Sequence, residues 1–335
     1  MYSDCDWTKM ISDKYTVLEQ LGRGGFGSVY KVKDEHIDKL YAMKIVKHNA
    51  FSEADKETNI LKSLDFRGLP ALHDVFYDEE YMYIVMELAR GSNLETYVRT
   101  KGKLSVEETL QIGCQLCDIL KYLHGRPIPV IHGDIKPENI MVSDEGVSLI
   151  DFGCAFLQYS EEYKYMGTPE YAAPELLRGD ALTESDVYSF GKVLIFMLTG
   201  RQIEIVNGIK VQDCLAAYAV PKRLCKLVVR CLEEDIKRRF RSGLELSKAM
   251  QSIRTRGSGF YVRWTTCSAC LLRWSGVSLT LYSLFLYQRQ LECKLWFLVG
   301  VVLLTVAFII GARVDKCYKS TILECECNIL VSEGL

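Results

Sequence analysis

What this 335-residue sequence lacks narrows its role before any motif is considered. It has no basic excess: 41 Lys and Arg stand against 43 Asp and Glu, a formal net charge of −2 with a pI near 6.3. Binding nucleic acid through its phosphates needs a cationic footprint, so no nucleic-acid partner is expected. Regular cysteine spacing is also missing. The 13 cysteines are scattered, which argues against a small secreted disulfide framework and for a reduced, cytosolic main domain. Cys267 and Cys270 make a CxxC and Cys325 and Cys327 flank Glu326, with no second pair at zinc-site spacing beside either. Both pairs are read as ordinary thiols. Met1 to Met10 carries Asp4, Asp6 and Lys9 without an apolar run, so no secretory signal is visible. No internal repeat or low-complexity tract is present.

What is there falls into two stretches of different period. From Tyr15 to Val46 the pattern is strand-like: Tyr15, Val17 and Leu18, a glycine cluster, Val29 to Val32, a polar turn, then Tyr41 to Val46. Ser52 to Lys62 reads as a short helix with Ile60 and Leu61 inward, and Tyr81 to Met86 as a buried strand. From Ser105 the period becomes helical. Ser105 and Glu108 make a capping box, and Leu110, Cys114, Cys117, Leu120 and His124 follow on one face up to Gly125. A loop-rich middle covers Ile131 to Glu175, and helices are expected over Asp186–Thr199 and Lys222–Leu232.

Chemistry concentrates in the loops. Gly22, Gly24 and Gly27 form a GxGxxG that lets backbone approach phosphates, and because Ser28 to Tyr30 continue as a strand, the reading is a hairpin over a nucleotide. Lys44 is a cation inside an apolar strand and needs a partner. Glu57 is the preferred one, with Glu53 as its competitor. In Val130-Ile-His132-Gly133-Asp134-Ile-Lys136-Pro-Glu-Asn139, Asp134 can accept the hydrogen bond of an attacking hydroxyl, Lys136 can offset charge on a transferring phosphoryl group, and Asn139 can ligate Mg2+. Asp151, in Leu149-Ile-Asp151-Phe-Gly153, is a second Mg2+ ligand candidate.

With these motifs in order, the chain resembles the eukaryotic-type Ser/Thr protein kinases over Tyr15 to Ile253. Gly167-Thr-Pro-Glu-Tyr-Ala-Ala-Pro-Glu175 looks like the substrate-positioning segment, Asp186 like the helix start behind the catalytic loop, and Arg239 like the partner of Glu175. The resemblance implies an α+β, bilobal protein-kinase-like fold with a β-rich N-lobe and an α-rich C-lobe. It also implies ATP and Mg2+, with Mn2+ as an alternative, and protein substrates with Ser or Thr acceptors. Val29, Ala42, Met86, Glu87 and Leu88 would then surround adenine, with Met86 as gatekeeper. The common His-Arg-Asp reads His132-Gly133-Asp134, removing the arginine that would hold a loop phosphate. Ser160 is the sole Ser or Thr between Gly153 and Gly167, which speaks against switching by loop phosphorylation. Two rival functions are a small-molecule phosphotransferase resembling aminoglycoside and choline kinases, and a pseudokinase scaffold.

After Ile253 the composition changes. Residues 254–263 form a basic linker, 264–288 a first membrane or interfacial segment containing Arg273, 295–312 a transmembrane helix, and 313–335 a short tail. Leu295 to Ala312 has no charge over 18 residues, which as a helix extends about 27 Å, near the ~30 Å hydrocarbon thickness. Basic residues favour a hairpin with both ends inside: Arg254, Arg256 and Arg263 precede it, Arg289 and Lys294 lie between, and Arg313, Lys316 and Lys319 follow. The expectation is a cell-membrane kinase in contact with lipid, its catalytic domain cytoplasmic, with a homodimer left open.

Overall fold

The computed structural model describes residues 14–24, 27–47, 50–158, 167–202 and 211–254. The expected membrane segments 264–288 and 295–312, the tail, Ser160 and the paired cysteines beyond 254 lie outside the described residues. Among the described residues no helix is long and apolar enough to cross a membrane. Contacts divide the chain after Ile253 into two units.

The first lobe is an antiparallel sheet. Strands β1 (Tyr15–Gly24), β2 (Gly27–Asp34), β3 (Lys39–Lys47), β4 (Leu72–Tyr77) and β5 (Tyr81–Glu87) lie in the order β1-β2-β3-β5-β4. On one face Tyr41, Met43 and Ile45 of β3 pack with Tyr83 and Val85 of β5; on the other Ala42 and Val46 pack with Met82, Ile84 and Met86. Both faces are covered, so the strand reads as one apolar run, broken by Lys44 alone. Helix α1 (Phe51–Lys62) follows β3, with Ala54, Glu57, Thr58 and Leu61 buried at helical spacing.

Strand β4 was not legible in the sequence, because His73 and Asp74 interrupt it. Tertiary partners hold both: His73 stacks on Tyr41 with ring centres 4.1 Å apart, and Asp74 accepts from Lys14 at 2.7 Å and Tyr15 at 3.1 Å.

The second lobe is mainly helical: β6 (Ser92–Asn93), α2 (Leu94–Lys101), α3 (Val106–His124), β7 (Val130–Ile131), β8 (Ile140–Ser143), β9 (Gly146–Leu149), β10 (Phe156–Leu157), α4 (Pro174–Leu177), α5 (Thr183–Thr199), α6 (Val211–Ala217), α7 (Lys222–Cys231) and a last helix, α8, over 243–254. The capping box of α3 forms: Glu108 N–H donates to Ser105 Oγ and Ser105 N–H to Glu108 Oε2, each at 3.2 Å. Helix α5 is buried almost all round and begins three residues before the expected Asp186. Leucines and isoleucines of α3, α5 and α7 form one continuous core with Ile135, Ile140, Leu149 and Phe152 beneath the central loops.

Candidate active site

At the end of the β1–β2 pairing Gly24 faces Gly27. At Gly27 the backbone has φ +151° and a Cβ would lie 2.2 Å from the Ile45 carbonyl, so only glycine fits. Register then sets the neighbours: Val29 lies opposite Lys44, and Ala42 opposite Met86. Val29, Ala42, Met86 and Leu88 share one apolar cluster. Glu87 closes β5, with its amide donating to Ala71 at 2.8 Å.

Lys44 is 5 % exposed and donates to both Glu57 oxygens, at 3.0 and 2.8 Å, and to Asp151 Oδ1 at 3.1 Å. Glu57, the preferred partner in the sequence, is on Lys44, because it shares the inward face of α1 with Ala54 and Leu61. Burial works against the charged amine, yet the carboxylates of Glu57 and Asp151 outweigh it and hold the Lys44 pKa above its ordinary value. Burial raises the Glu57 carboxyl, opposed by Lys44. Asp151 sits at φ +62°, a left-handed conformation uncommon for a non-glycine residue. Burial would raise its pKa, but Lys44 and the Gly153 amide pull it below the usual carboxylate range.

The catalytic-loop candidates converge around Asp134, which is 7 % exposed. Its Oδ1 accepts from the Thr168 amide at 2.8 Å; its Oδ2 accepts from Asn139 Nδ2 at 3.0 Å and pairs with Lys136 Nζ at 2.7 Å. Lys136 also donates to Thr168 Oγ1 at 2.7 Å. Burial lowers and Asp134 raises the Lys136 pKa, with a net upward shift. Asn139 uses its amide nitrogen on Asp134, leaving its oxygen as an acceptor, and Asp151 keeps Oδ2 beyond its Oδ1 contacts. An amide oxygen and a carboxylate are hard donors of the kind Mg2+ takes beside phosphate and water, so these residues fit that ion.

A support behind the loop was only partly visible in the sequence. Asp186, 1 % exposed, receives the amides of His132 at 2.9 Å and Gly133 at 3.0 Å and faces His124 Nε2 at 3.0 Å. The Gly243 amide donates to His124 Nδ1 at 3.0 Å, which makes Nε2 the protonated nitrogen that donates to Asp186. By periodicity His124 is only part of a helix face; the signal in the sequence is a polar residue on that apolar stripe. Gly133 has φ +74°, and a Cβ there would meet the Cys154 carbonyl at 2.9 Å. Glu175 and Arg239, with side chains 1 % and 0 % exposed, form a two-pronged pair at 2.6 and 3.0 Å. Burial, with Asp134 and Asp151 nearby, pushes the Cys154 thiol up to about 12, which disfavours its thiolate.

Comparison with known proteins places this geometry. The protein kinase domain model matches residues 15–251. A probable serine/threonine-protein kinase PknB of Lactococcus lactis is 29% identical over 257 residues, covering 69% of this chain and 40% of that protein. Serine/threonine-protein kinase PrkC of Bacillus subtilis is 32% identical over 205 residues, 58% of this chain and 31% of that protein. Human death-associated protein kinase 2 is 32% identical over 207 residues, 57% of this chain and 55% of that protein. The chain thus spans about a third to a half of the length of these relatives. Hairpin, buried Lys44–Glu57 pair, Asp134 cluster and Glu175–Arg239 pair lie in one bilobal kinase fold, and the chain belongs to the protein kinase family, among the eukaryotic-type Ser/Thr kinases.

Proposed function

We propose that this chain transfers the γ-phosphoryl group of ATP to Ser or Thr hydroxyls of proteins, with Mg2+, while its C-terminal apolar segments hold it at a membrane. The observation that carries the catalytic part is Asp134, a buried carboxylate held on three sides by Asn139, Lys136 and the Thr168 amide. Asp134 orients the acceptor hydroxyl and accepts its hydrogen bond as the oxygen attacks. Lys136, between Asp134 and Thr168, offsets negative charge there and positions the segment on which the acceptor peptide rests. Lys44, fixed by Glu57, presents its ammonium to the nucleotide phosphates, and Val29, Ala42, Met86, Glu87 and Leu88 surround the base. Asn139 and Asp151 would hold Mg2+, which when bound neutralises phosphate charge.

Gly133 supports a kinase that assembles without a phosphate on the activation segment, since no arginine stands beside Asp134 to receive one. For the membrane, the support is the uncharged run 295–312 and the basic residues around it. The domain is then 15–253, the linker 254–263, the anchor one span or a hairpin, and the catalytic domain cytoplasmic.

The full chain in detergent, given labelled ATP and a generic protein, is expected to label Ser and Thr, whereas an Asp151→Ala control does not. Equal labelling by both proteins would sink the enzymatic reading.

A further inference from the structure

Charge is unevenly spread along this chain. Between 222 and 254 it carries ten Lys and Arg against four Asp and Glu, a net +6, while the remainder holds 31 against 39. Every cation of that segment except Arg239 is exposed. Helix α7 turns Leu224, Cys225, Leu227, Val228 and Cys231 inward, which leaves Lys222, Arg223 and Lys226 on its solvent side. No ion pair reaches these three among the described residues. Of the four acids in the segment Glu245 pairs with Arg230 and Asp235 with Arg238, and among the described residues neither Glu233 and Glu234 nor Asp213 on α6 pairs with any of the three. Six other surface cations, Lys14, Lys31, Lys33, Arg90, Arg99 and Lys101, each hold a carboxylate. Like charges four apart on a helix, as in Lys222 and Lys226, repel. An anionic surface laid over them removes that repulsion.

The following sequence says which anion. The cationic segment continues through Arg254, Arg256 and Arg263, and the apolar stretch begins ten residues after Arg254. Ten residues reach at most about 35 Å, so an anchored chain keeps the end of α8 within that distance of lipid headgroups. We propose that the exposed cations of 222–254, foremost Lys222, Arg223 and Lys226, form a docking face for an anionic phospholipid surface. The inference rests on the reading of the C-terminal segments as a membrane anchor. Each cation near an anionic leaflet favours the docked state about fivefold, so removing three shifts the docked-to-undocked ratio roughly a hundredfold. Attraction fades within about 8 Å at physiological salt. Docking fixes the orientation of the catalytic lobe and restricts its substrates to proteins close to the bilayer.

The test uses the full chain reconstituted in vesicles of phosphatidylcholine alone or mixed with phosphatidylserine. Flotation reports the anchor, and a water-soluble amine reagent read by mass spectrometry reports the face. The chain is expected to float with both vesicles. Labelling of Lys222 and Lys226 should fall roughly tenfold in the anionic vesicles, with Lys39 and Lys62 unchanged and the protection lost at high salt. In the triple variant Lys222→Gln, Arg223→Gln, Lys226→Gln, protection of Lys248 should disappear. Flotation with both vesicles but equal labelling in both overturns the docking face and leaves the anchor standing. Flotation with anionic vesicles only supports the face and removes the anchor; flotation with neither overturns both. Protection by soluble polyglutamate and not by anionic vesicles overturns the lipid assignment in favour of an acidic protein.

Discussion

Replacing Lys44 by Met tests the electrostatics of the site most directly. Both Glu57 oxygens are held by Lys44, and the two side chains are 6 % and 3 % exposed, so Lys44→Met strands a carboxylate in the core. Breaking a buried pair from one side costs about 3–5 kcal/mol. For a domain of this size that lowers the melting temperature by roughly 6–20 °C. Glu57→Gln is milder, about 1–3 kcal/mol, because Lys44 keeps Asp151, whose side chain is 48 % exposed, at 3.1 Å. The double variant leaves no unpaired buried carboxylate at Glu57 and should recover at least about half of the Lys44→Met loss. Burial already raises the Glu57 pKa, and without Lys44 nothing opposes it. An acid whose folded pKa lies above its unfolded value destabilises most at high pH and is relieved as pH falls through the folded pKa. The gap between wild type and Lys44→Met should therefore be widest near about pH 8 and narrow toward about pH 5. Thermal unfolding across that range, with phosphate transfer expected to drop by about 100-fold or more, checks it. Equal losses for Lys44→Met and Glu57→Gln, or a gap independent of pH, would refute the reasoning.

Gly133→Ala places a Cβ 2.9 Å from the Cys154 carbonyl at φ +74°, and should lower stability by about 1–2 kcal/mol in a urea melt; an unchanged midpoint would remove strain as the reason for glycine. Arg239→Leu strands Glu175, whose remaining partner is Ser185 at 2.8 Å, and is expected to cost about 3–5 kcal/mol, with Glu175→Leu in the same chain restoring much of it. Ser160→Ala should leave the initial rate of phosphate transfer within about twofold of wild type, because no loop arginine awaits a phosphate; a large loss would show that the loop is switched there.

The motif-bearing loops were legible because their chemistry restricts residue type. A phosphate cover needs glycine, and Gly27 leaves no room for a Cβ; a base and its metal neighbour need Asp and Asn within one short loop, as in Asp134 and Asn139. Helix α3 was legible from its cap and stripe. Strand β4 was not, since His73 and Asp74 are held there by Tyr41, Lys14 and Tyr15 from distant parts of the chain. The role of His124 was likewise hidden, because Asp186 lies 62 residues away and Gly243 farther still.

From sequence alone followed the kinds of group present, their order, the family resemblance, the absence of a basic excess and the missing arginine at Gly133. Tertiary structure decided which of those groups meet. Glu57 pairs with Lys44 because α1 turns the face of Ala54, Glu57 and Leu61 toward the sheet, and Asp151 reaches Lys44 across 107 positions. Hydrophobic periodicity encodes which face of an element is buried. The distance between two charges on different elements depends on how those faces pack, and that distance sets whether a buried charge is stabilised or stranded.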